Sequence, residues 1–236
     1  MDVTAAILAG GLGTRLRSVV TDRPKVLAPV CGRPYLTYLL DQLAAASVRE
    51  VVLLTGHAAD QVRDTLGETH AGLRLMYSAE PIPLGTGGAL RNALPHLSAQ
   101  TVLLLNGDSY CDVDLTAFVH FHRAEPAGAS LVLVRVPEAS RFGQVRGGRT
   151  GRILRFEEKG EAQGPGWINA GVYLIDRALL AGVPPGRALS LERDLLPGWV
   201  AERQVRGYRC DGRFLDIGTP ESYAEAEEFF AAAGTY

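Results

Sequence analysis

The 236-residue chain has almost no charge bias: 24 lysines and arginines stand against 26 acidic residues. The arginines are scattered, so the basic stripe of a nucleic-acid binder is missing and no nucleic acid is expected as a partner. Cysteine is scarce. Cys31, Cys111 and Cys210 are odd in number and lack metal-type spacing, which excludes a disulfide framework and fits a reducing compartment. No apolar run approaches bilayer length, and the opening residues have neither a basic stretch nor a long apolar core. No membrane partner is therefore expected, and the cytoplasm is the expected location. Linkers, low-complexity tracts and internal repeats are missing too. Covalent catalysis has no candidate: Ser109 lacks a G-x-S-x-G elbow, no cysteine carries a nucleophile signature, and His120 and His122, two apart, cannot share a helix face as a metal pair.

What is present is a core-forming pattern, with 47% hydrophobic residues, ample for a large buried interior. The apolar run at residues 3–8 reads as a strand buried on both faces. Pro34 followed by Leu36, Leu39, Leu40 and Leu43 predicts a helix. Strands at 51–55, 73–77 and 102–105 alternate with helices at 59–66 and 87–94. That βαβ rhythm predicts a single three-layer α/β/α domain, residues 1–236, on a mostly parallel, Rossmann-like mixed sheet. After Asp108 the rhythm changes: a helix at 115–123 and a strand at 131–136 lead into shorter β pieces near 143–145, 153–156 and 168–174. These are expected as mixed or antiparallel additions at the sheet edge. Thr219-Pro220-Glu221 begins a helix expected to run to 232.

Leu8-Ala9-Gly10-Gly11-Leu12-Gly13-Thr14-Arg15-Leu16 sets three glycines and an arginine directly behind the first apolar run. Glycine bares main-chain N–H groups, and arginine grips phosphate through a bidentate fork. Neither better-known phosphate loop fits: Leu16 replaces the third glycine of G-x-G-x-x-G, and the Gly-Lys-Ser/Thr of a Walker loop is absent. Pro24-Lys25 offers a second positive charge on a stiffened chain, the alternative being a tight turn with surface cations. A second cluster, Pro83-Leu84-Gly85-Thr86-Gly87-Gly88-Ala89, also precedes a predicted helix. Ligands gather outside the carboxyl ends of strands in open α/β sheets, so its backbone and Thr86 are candidates for reading a flat base; helix capping is the alternative.

Leu103-Leu104-Leu105-Asn106-Gly107-Asp108 ends a buried-type strand in a carboxylate, and Asp216 is planted between apolar residues in Phe214-Leu215-Asp216-Ile217-Gly218-Thr219. Buried carboxylates are costly unless paired, hydrogen-bonded or bound to a cation. Two of them, distant in sequence, point to one hard cation, most simply Mg²⁺ on phosphate oxygens. An Asx-turn for Asp108 and a turn or cap for Asp216 are the alternatives. Asp114 reads as the N-cap of the helix beginning at Leu115. Asp112-Val113-Asp114 has the D-x-D spelling of a glycosyltransferase metal site but does not directly end a predicted strand. Glu157-Glu158-Lys159 reads, by itself, as a solvated charge run.

In order along nearly the whole chain, the opening glycine loop, Pro24-Lys25, Leu84-Gly85-Thr86-Gly87, Asn106-Gly107-Asp108, Phe156-Glu157-Glu158-Lys159, Asn169-Ala170-Gly171 and Asp216-Ile217-Gly218-Thr219 resemble the sugar-1-phosphate nucleotidyltransferases. Leu16-Arg17-Ser18-Val19-Val20 and Ser190-Leu191-Glu192-Arg193-Asp194 are most similar to that family's D-glycero-α-D-manno-heptose 1-phosphate guanylyltransferase branch. The resemblance implies that a sugar 1-phosphate attacks the α-phosphorus of GTP, giving GDP-heptose and pyrophosphate; another sugar 1-phosphate with guanylyl or uridylyl transfer, or a non-catalytic sensor, are the alternatives. It implies a nucleotide-binding lobe over about 1–110 and a sugar-phosphate lobe over about 111–236, in a monomer or small homo-oligomer. Leu8, Ala9, Gly10, Gly11, Gly13, Thr14, Arg15, Lys25, Asn106 and Gly107 would then hold the nucleotide, with Leu84, Gly85, Thr86 and Gly87 at base and ribose. Asp108 and Asp216 would ligate Mg²⁺, and Gly143, Glu158, Lys159, Asn169 and Gly171 would bind the sugar phosphate. Arg15, Lys25, Asp108, Lys159 and Asp216 form the implied catalytic set. Gly160 departs from the family, where many relatives carry proline after the Glu-Lys pair.

Overall fold

A computed structural model of the chain describes residues 2–11, 13–56, 58–124, 127–147, 151–156 and 163–232. The first half alternates as expected: β1 (Thr4–Leu8), a short hairpin of β2 (Pro29–Val30) and β3 (Arg33–Pro34), α1 (Leu36–Ala45), β4 (Glu50–Thr55), α2 (Ala59–Leu66), β5 (Thr69–His70), β6 (Leu73–Ala79), α3 (Gly85–Asn92) and β7 (Thr101–Asn106). Then follow β8 (Ser109–Cys111), α4 (Leu115–Ala124), β9 (Ala129–Val136), β10 (Val145–Gly147), β11 (Ile153–Phe156), β12 (Gly166–Asp176) and α5 (Arg177–Ala181). A π-helical turn, Leu191–Leu195, runs into α6 (Leu196–Ala201), and β13 (Val205–Cys210), β14 (Phe214–Asp216), α7 (Pro220–Ala224) and α8 (Ala226–Ala231) complete the described elements.

Eight strands form one sheet in the order β13-β9-β12-β7-β1-β4-β6-β5. β7, β1, β4 and β6 run parallel, whereas β12 lies antiparallel to both of its neighbours, β7 and β9. Leu36, Leu39, Leu40 and Leu43 of α1 bury against one face with Val62 of α2 and Phe118 of α4. Leu90 of α3, Ala93 just after it, Leu180 of α5 and Trp199 of α6 bury against the other. The three-layer α/β/α expectation therefore holds, because strands such as β1 and β7 are apolar on both faces and must be covered twice. A smaller cluster of Leu16, Val20, Val30, Tyr35, Leu215, Ile217 and Ala226 ties the opening loop to β14 and α8.

Several boundaries differ from expectation. The segment read as 168–174 at a sheet edge is the eleven-residue interior strand β12, and its unbroken burial from Ala170 to Ile175 explains why. β10 begins at Val145, not Gly143, whose positive φ of 79° turns the chain into it. α3 starts at Gly85, two residues early, and the C-terminal helix breaks into α7 and α8 at Glu225. β13 escaped the sequence reading because its VRGYRC run mixes arginines and a glycine with few apolar residues. Among the described residues, no helix is long and apolar enough to cross a membrane.

Candidate active site

Parallel pairing sets the carboxyl ends of β7, β1, β4 and β6 side by side, and the loops leaving them carry most of the candidate residues. After β1 the chain turns left-handed at Gly13 (φ 59°), which precedes the 3₁₀ turn Thr14–Leu16. A Cβ on Gly13 would stand 3.1 Å from Lys25 Cβ, so the loop and Lys25 are packed together. Leu16 is buried and anchors the turn, while Thr14 and Arg15 stay exposed. A cavity of about 290 Å³ opens beside them, lined by Gly11, Gly13, Arg17, Arg23, Lys25 and Gln61 among others. Asp22 lines it too and pairs with Arg23 at 2.6 Å, which leaves Arg17 and Lys25 as the charges that would face a polyphosphate. A larger hollow of about 820 Å³, lined by residues that include Arg33, Tyr38, Tyr110, Asp112, Asp114 and Phe230, contains none of the nucleotide candidates and neither Asp108 nor Asp216.

The two aspartates converge. β8 and β14 pair antiparallel with Ser109 opposite Asp216, and Ile217 N donates to the Asp108 carbonyl at 2.9 Å. The Lys25 ammonium forms a hydrogen-bonded ion pair with Asp108, and Asp216 Oδ1 accepts from Gly218 N at 2.8 Å. Burial pushes the Asp216 carboxyl above its usual value and the Asp108 charge adds to this; the Gly218 N–H, Lys25 and Arg15 pull the other way. Arg15 Nη2 stands 3.5 Å from where a Cβ on Gly218 would be. Two like-charged carboxylates, one of them paired with the Lys25 that lines the cavity, fit Mg²⁺, which takes one or two carboxylates and fills its shell with water and phosphate oxygens. Among the described residues no group of three or more His, Cys, Asp or Glu is placed to hold a metal. An ion here would depend on the nucleotide for further ligands.

The second glycine cluster is held against the segment that leads into the π-helical turn. Gly87 N and Gly88 N donate to Leu189 O at 2.8 and 3.2 Å, and Leu189 N donates back to Leu84 O at 2.8 Å. The Thr86 hydroxyl donates to Glu192 Oε2 at 2.9 Å and accepts from Leu191 N at 2.7 Å. Its proton is thus donated within the protein, to the Glu192 carboxylate. The residue that sequence reasoning missed is Glu80, just beyond β6. Its Oε2 accepts from Leu84 N at 3.0 Å, and Oε1 stands 3.3 and 2.9 Å from where Cβ atoms on Gly10 and Gly56 would be. Glu80 therefore reaches across β4 to β1, and burial raises its carboxyl above the usual value, opposed by the Leu84 N–H. An acid three residues beyond the strand expected at 73–77 was the one available signal.

In the interior strand β12, the register with β9 shifts between Asn169 and Tyr173, a bulge that contains Gly171 at φ 75°. A Cβ on Gly171 would stand 2.7 Å from both Asn106 Nδ2 and Ser109 Oγ, so the Asn169-Ala170-Gly171 bulge presses on the segment that carries Asp108. Asn169 Oδ1 accepts from Gly171 N at 3.0 Å, and Asn169 Nδ2 donates to the Tyr173 hydroxyl at 2.8 Å. The Gly107 N–H donates to Leu8 O at 3.0 Å, joining the ends of β7 and β1. Gly143 N donates to Ala139 O at 3.1 Å at the entry to β10. Glu158 and Lys159 lie outside the described residues. Asp114 Oδ1 accepts from Ala117 N at 2.9 Å and caps α4, and Asp112 lies 3.9 Å from Arg213, so neither half of the D-x-D spelling faces the other acids' task.

This fold and this convergence of glycine loop, lysine and paired aspartates define a nucleotide-handling transferase. A model of the nucleotidyl transferase family matches residues 4–233, and the chain belongs to that family. It is 37% identical over 224 residues to the mannose-1-phosphate guanylyltransferase of Mycobacterium tuberculosis, covering 94% of this chain and 62% of that protein. It is 35% identical over 224 residues to the D-glycero-alpha-D-manno-heptose 1-phosphate guanylyltransferase of Aneurinibacillus thermoaerophilus, covering 95% of this chain and 96% of that one. Thus it spans under two thirds of the first relative's length and nearly all of the second's. In the crystal structure of HddC from Yersinia pseudotuberculosis complexed with GMP-PN, the fold matches with a TM-score of 0.85 at 31% identity, over 97% of this chain and 99% of that one.

Proposed function

We propose that the protein is a guanylyltransferase that joins a sugar 1-phosphate, D-glycero-α-D-manno-heptose 1-phosphate, to the guanylyl group of GTP and releases pyrophosphate. The observation that carries the choice of base is Glu80. A carboxylate has only acceptors, and guanine presents adjacent N1–H and N2–H donors on its Watson–Crick edge, whereas uracil offers one N–H between two carbonyls. Glu80 stands at the ends of β1, β4 and β6, beside a loop whose Gly87, Gly88 and Thr86 donors are otherwise engaged. The heptose branch is favoured by the near full-length match to the Aneurinibacillus enzyme; the 37% match to the Mycobacterium enzyme supports mannose 1-phosphate as the second reading.

The nucleophile, a phosphate oxygen, is already an anion, so the site needs no general base. Its task is to bring two polyanions together, which repel by roughly 4 kcal/mol per unit-charge pair at 4 Å and an effective dielectric near 20. Arg15, Lys25 and the N–H groups of Gly11 and Gly13 would hold the triphosphate tail, and Lys159 the sugar phosphate. Asp108 and Asp216 would hold Mg²⁺, which supplies charge neutralisation on the phosphates. Positioning and preorganised charge then carry the rate.

A pyrophosphate-release assay with heptose 1-phosphate or mannose 1-phosphate and each nucleoside triphosphate in turn is expected to favour GTP. Glu80→Gln, which puts a donor against guanine's donors, is expected to lower the kcat/KM preference for GTP over UTP by about tenfold or more. UTP preferred by the unaltered protein, or an unchanged preference in the variant, would contradict the guanine assignment.

A further inference from the structure

The carboxylate of Glu192, on the π-helical turn, joins the two halves of the site. Its Oε2 accepts from Thr86 Oγ1 at 2.9 Å, at the start of α3, and from Ser190 Oγ at 3.1 Å. Its Oε1 accepts from the Tyr173 hydroxyl of β12 at 3.0 Å. That hydroxyl accepts in turn from Asn169 Nδ2, in the bulge pressed against the Asp108 segment. A continuous chain of hydrogen bonds thus runs from the base-side loop through Thr86, Glu192 and Tyr173 to Asn169 on the sugar side. Donor and acceptor roles along it are fixed. Tyr173 is wholly buried, and burial and then the Glu192 charge keep its hydroxyl protonated and donating. The turn that carries Glu192 is itself unusual, since single π turns are rare and concentrate at functional sites. The same segment is held to the glycine loop by the Leu189 carbonyl, which takes both Gly87 N and Gly88 N.

We propose that Glu192 is a positioning residue that links nucleotide and sugar-phosphate binding, its carboxylate setting the base-side loop and the Asn169 bulge as one unit. The proposal rests on the nucleotidyltransferase reading of the site and adds to it a reciprocal dependence between the two substrates. If Thr86 or Tyr173 loses its hydroxyl, the carboxylate loses a partner and shifts towards the other. A change on one side is then expected to alter affinity on the other, and bound nucleotide and bound sugar 1-phosphate to alter each other's affinity by one common factor.

The test measures equilibrium binding of Mg²⁺ complexes of GTP, UTP and ATP to the purified chain by calorimetry, with Tyr173→Phe, Thr86→Val, both together, and each again in a Glu192→Leu background. Tyr173→Phe keeps the ring in its buried place, and it is expected to weaken the preferred nucleotide by about threefold to tenfold although Tyr173 belongs to the sugar-side strand. Thr86→Val added to it is expected to cost less than it does alone, and without Glu192 the Tyr173 effect should vanish. In turnover, Thr86→Val should raise the KM for the sugar 1-phosphate, the reciprocal reading if Tyr173→Phe folds poorly. A purely structural Tyr173 would lower the unfolding temperature and leave nucleotide affinity untouched; that result, or independent multiplication of the two effects, overturns the proposal. A wild-type chain that prefers UTP would sink the guanine assignment alone, and a neutral Tyr173→Phe with GTP preferred would sink the linkage alone.

Discussion

Asp216 sits in the free chain at a cost, half-buried and facing the charge of Asp108. A carboxyl whose folded-state pKa lies above its ordinary 3.8 binds a proton more readily folded than unfolded. It therefore lowers stability above its folded pKa, and that penalty fades as pH falls through the folded pKa towards 3.8. Asp216→Asn, which keeps an acceptor for the Gly218 N–H, is expected to raise the unfolding temperature of the ligand-free protein at pH 7–8. The gain should shrink on acidification, while pyrophosphate release falls by about 10²–10³ if the carboxylate is needed for the metal and phosphates. A variant no more stable than the parent at pH 8 would contradict the account of Asp216. Arg15, Lys25, Asp108 and Asp216 stood out in the sequence as candidates because each sets a charge among glycines or apolar residues, and the structure brings these charges near one another. Glu80 did not, since one acid after a strand looks like surface until Gly10 and Gly56 are seen beside it. The tie between Thr86 and Glu192 was not legible either, because the two lie 106 residues apart.

The glycine-rich start of α3 is shaped by a neighbouring segment more than by a ligand. A Cβ on Gly88 would stand 2.4 Å from Arg187 O and 2.9 Å from Leu84 Cβ, and a Cβ on Gly87 would stand 2.8 Å from Leu195 Cδ1. Backbone cannot yield as a flexible side-chain end can. Gly88→Ala is therefore expected to destabilise the fold by about 1–3 kcal/mol and to push residues 187–191 away from α3. Thermal unfolding measures the first effect, and a raised KM for nucleotide the second; full stability in the variant would mean that the two segments are not packed as described. Strand and helix rhythm revealed the elements of the first half because each is local and periodic. β12 was recognised as a strand yet assigned to the edge, although its apolar run from Ala170 to Ile175 is what an interior strand requires. β13 was invisible because pairing with β9, not its own composition, makes it a strand.

For the molecule as a whole, the order β13-β9-β12-β7-β1-β4-β6-β5 decides what meets at the site. Parallel neighbours deliver the glycine loop, Glu80 and Asp108 to one edge, and the antiparallel insertion of β12 beside β7 brings Asn169 and Gly171 against Asn106 and Ser109. A sequence reading supplies the parallel part, since βαβ units follow a fixed handedness and ligand edge. It cannot supply the insertion, because strand order in the second half departs from chain order and rests on contacts between distant residues. The near balance of charge, net −2, means that under the proposed function a polyanion would be held by local groups, among them Arg17 and Lys25, which line a small cavity. The most direct measurement of the central claim follows label from GTP carrying radioactive phosphorus at either the α or the γ position, incubated with the protein, Mg²⁺ and the sugar 1-phosphate. The account predicts the α label in a sugar nucleotide and the γ label in pyrophosphate. The γ label on the sugar phosphate or in orthophosphate, with the α label left in GDP, would contradict it.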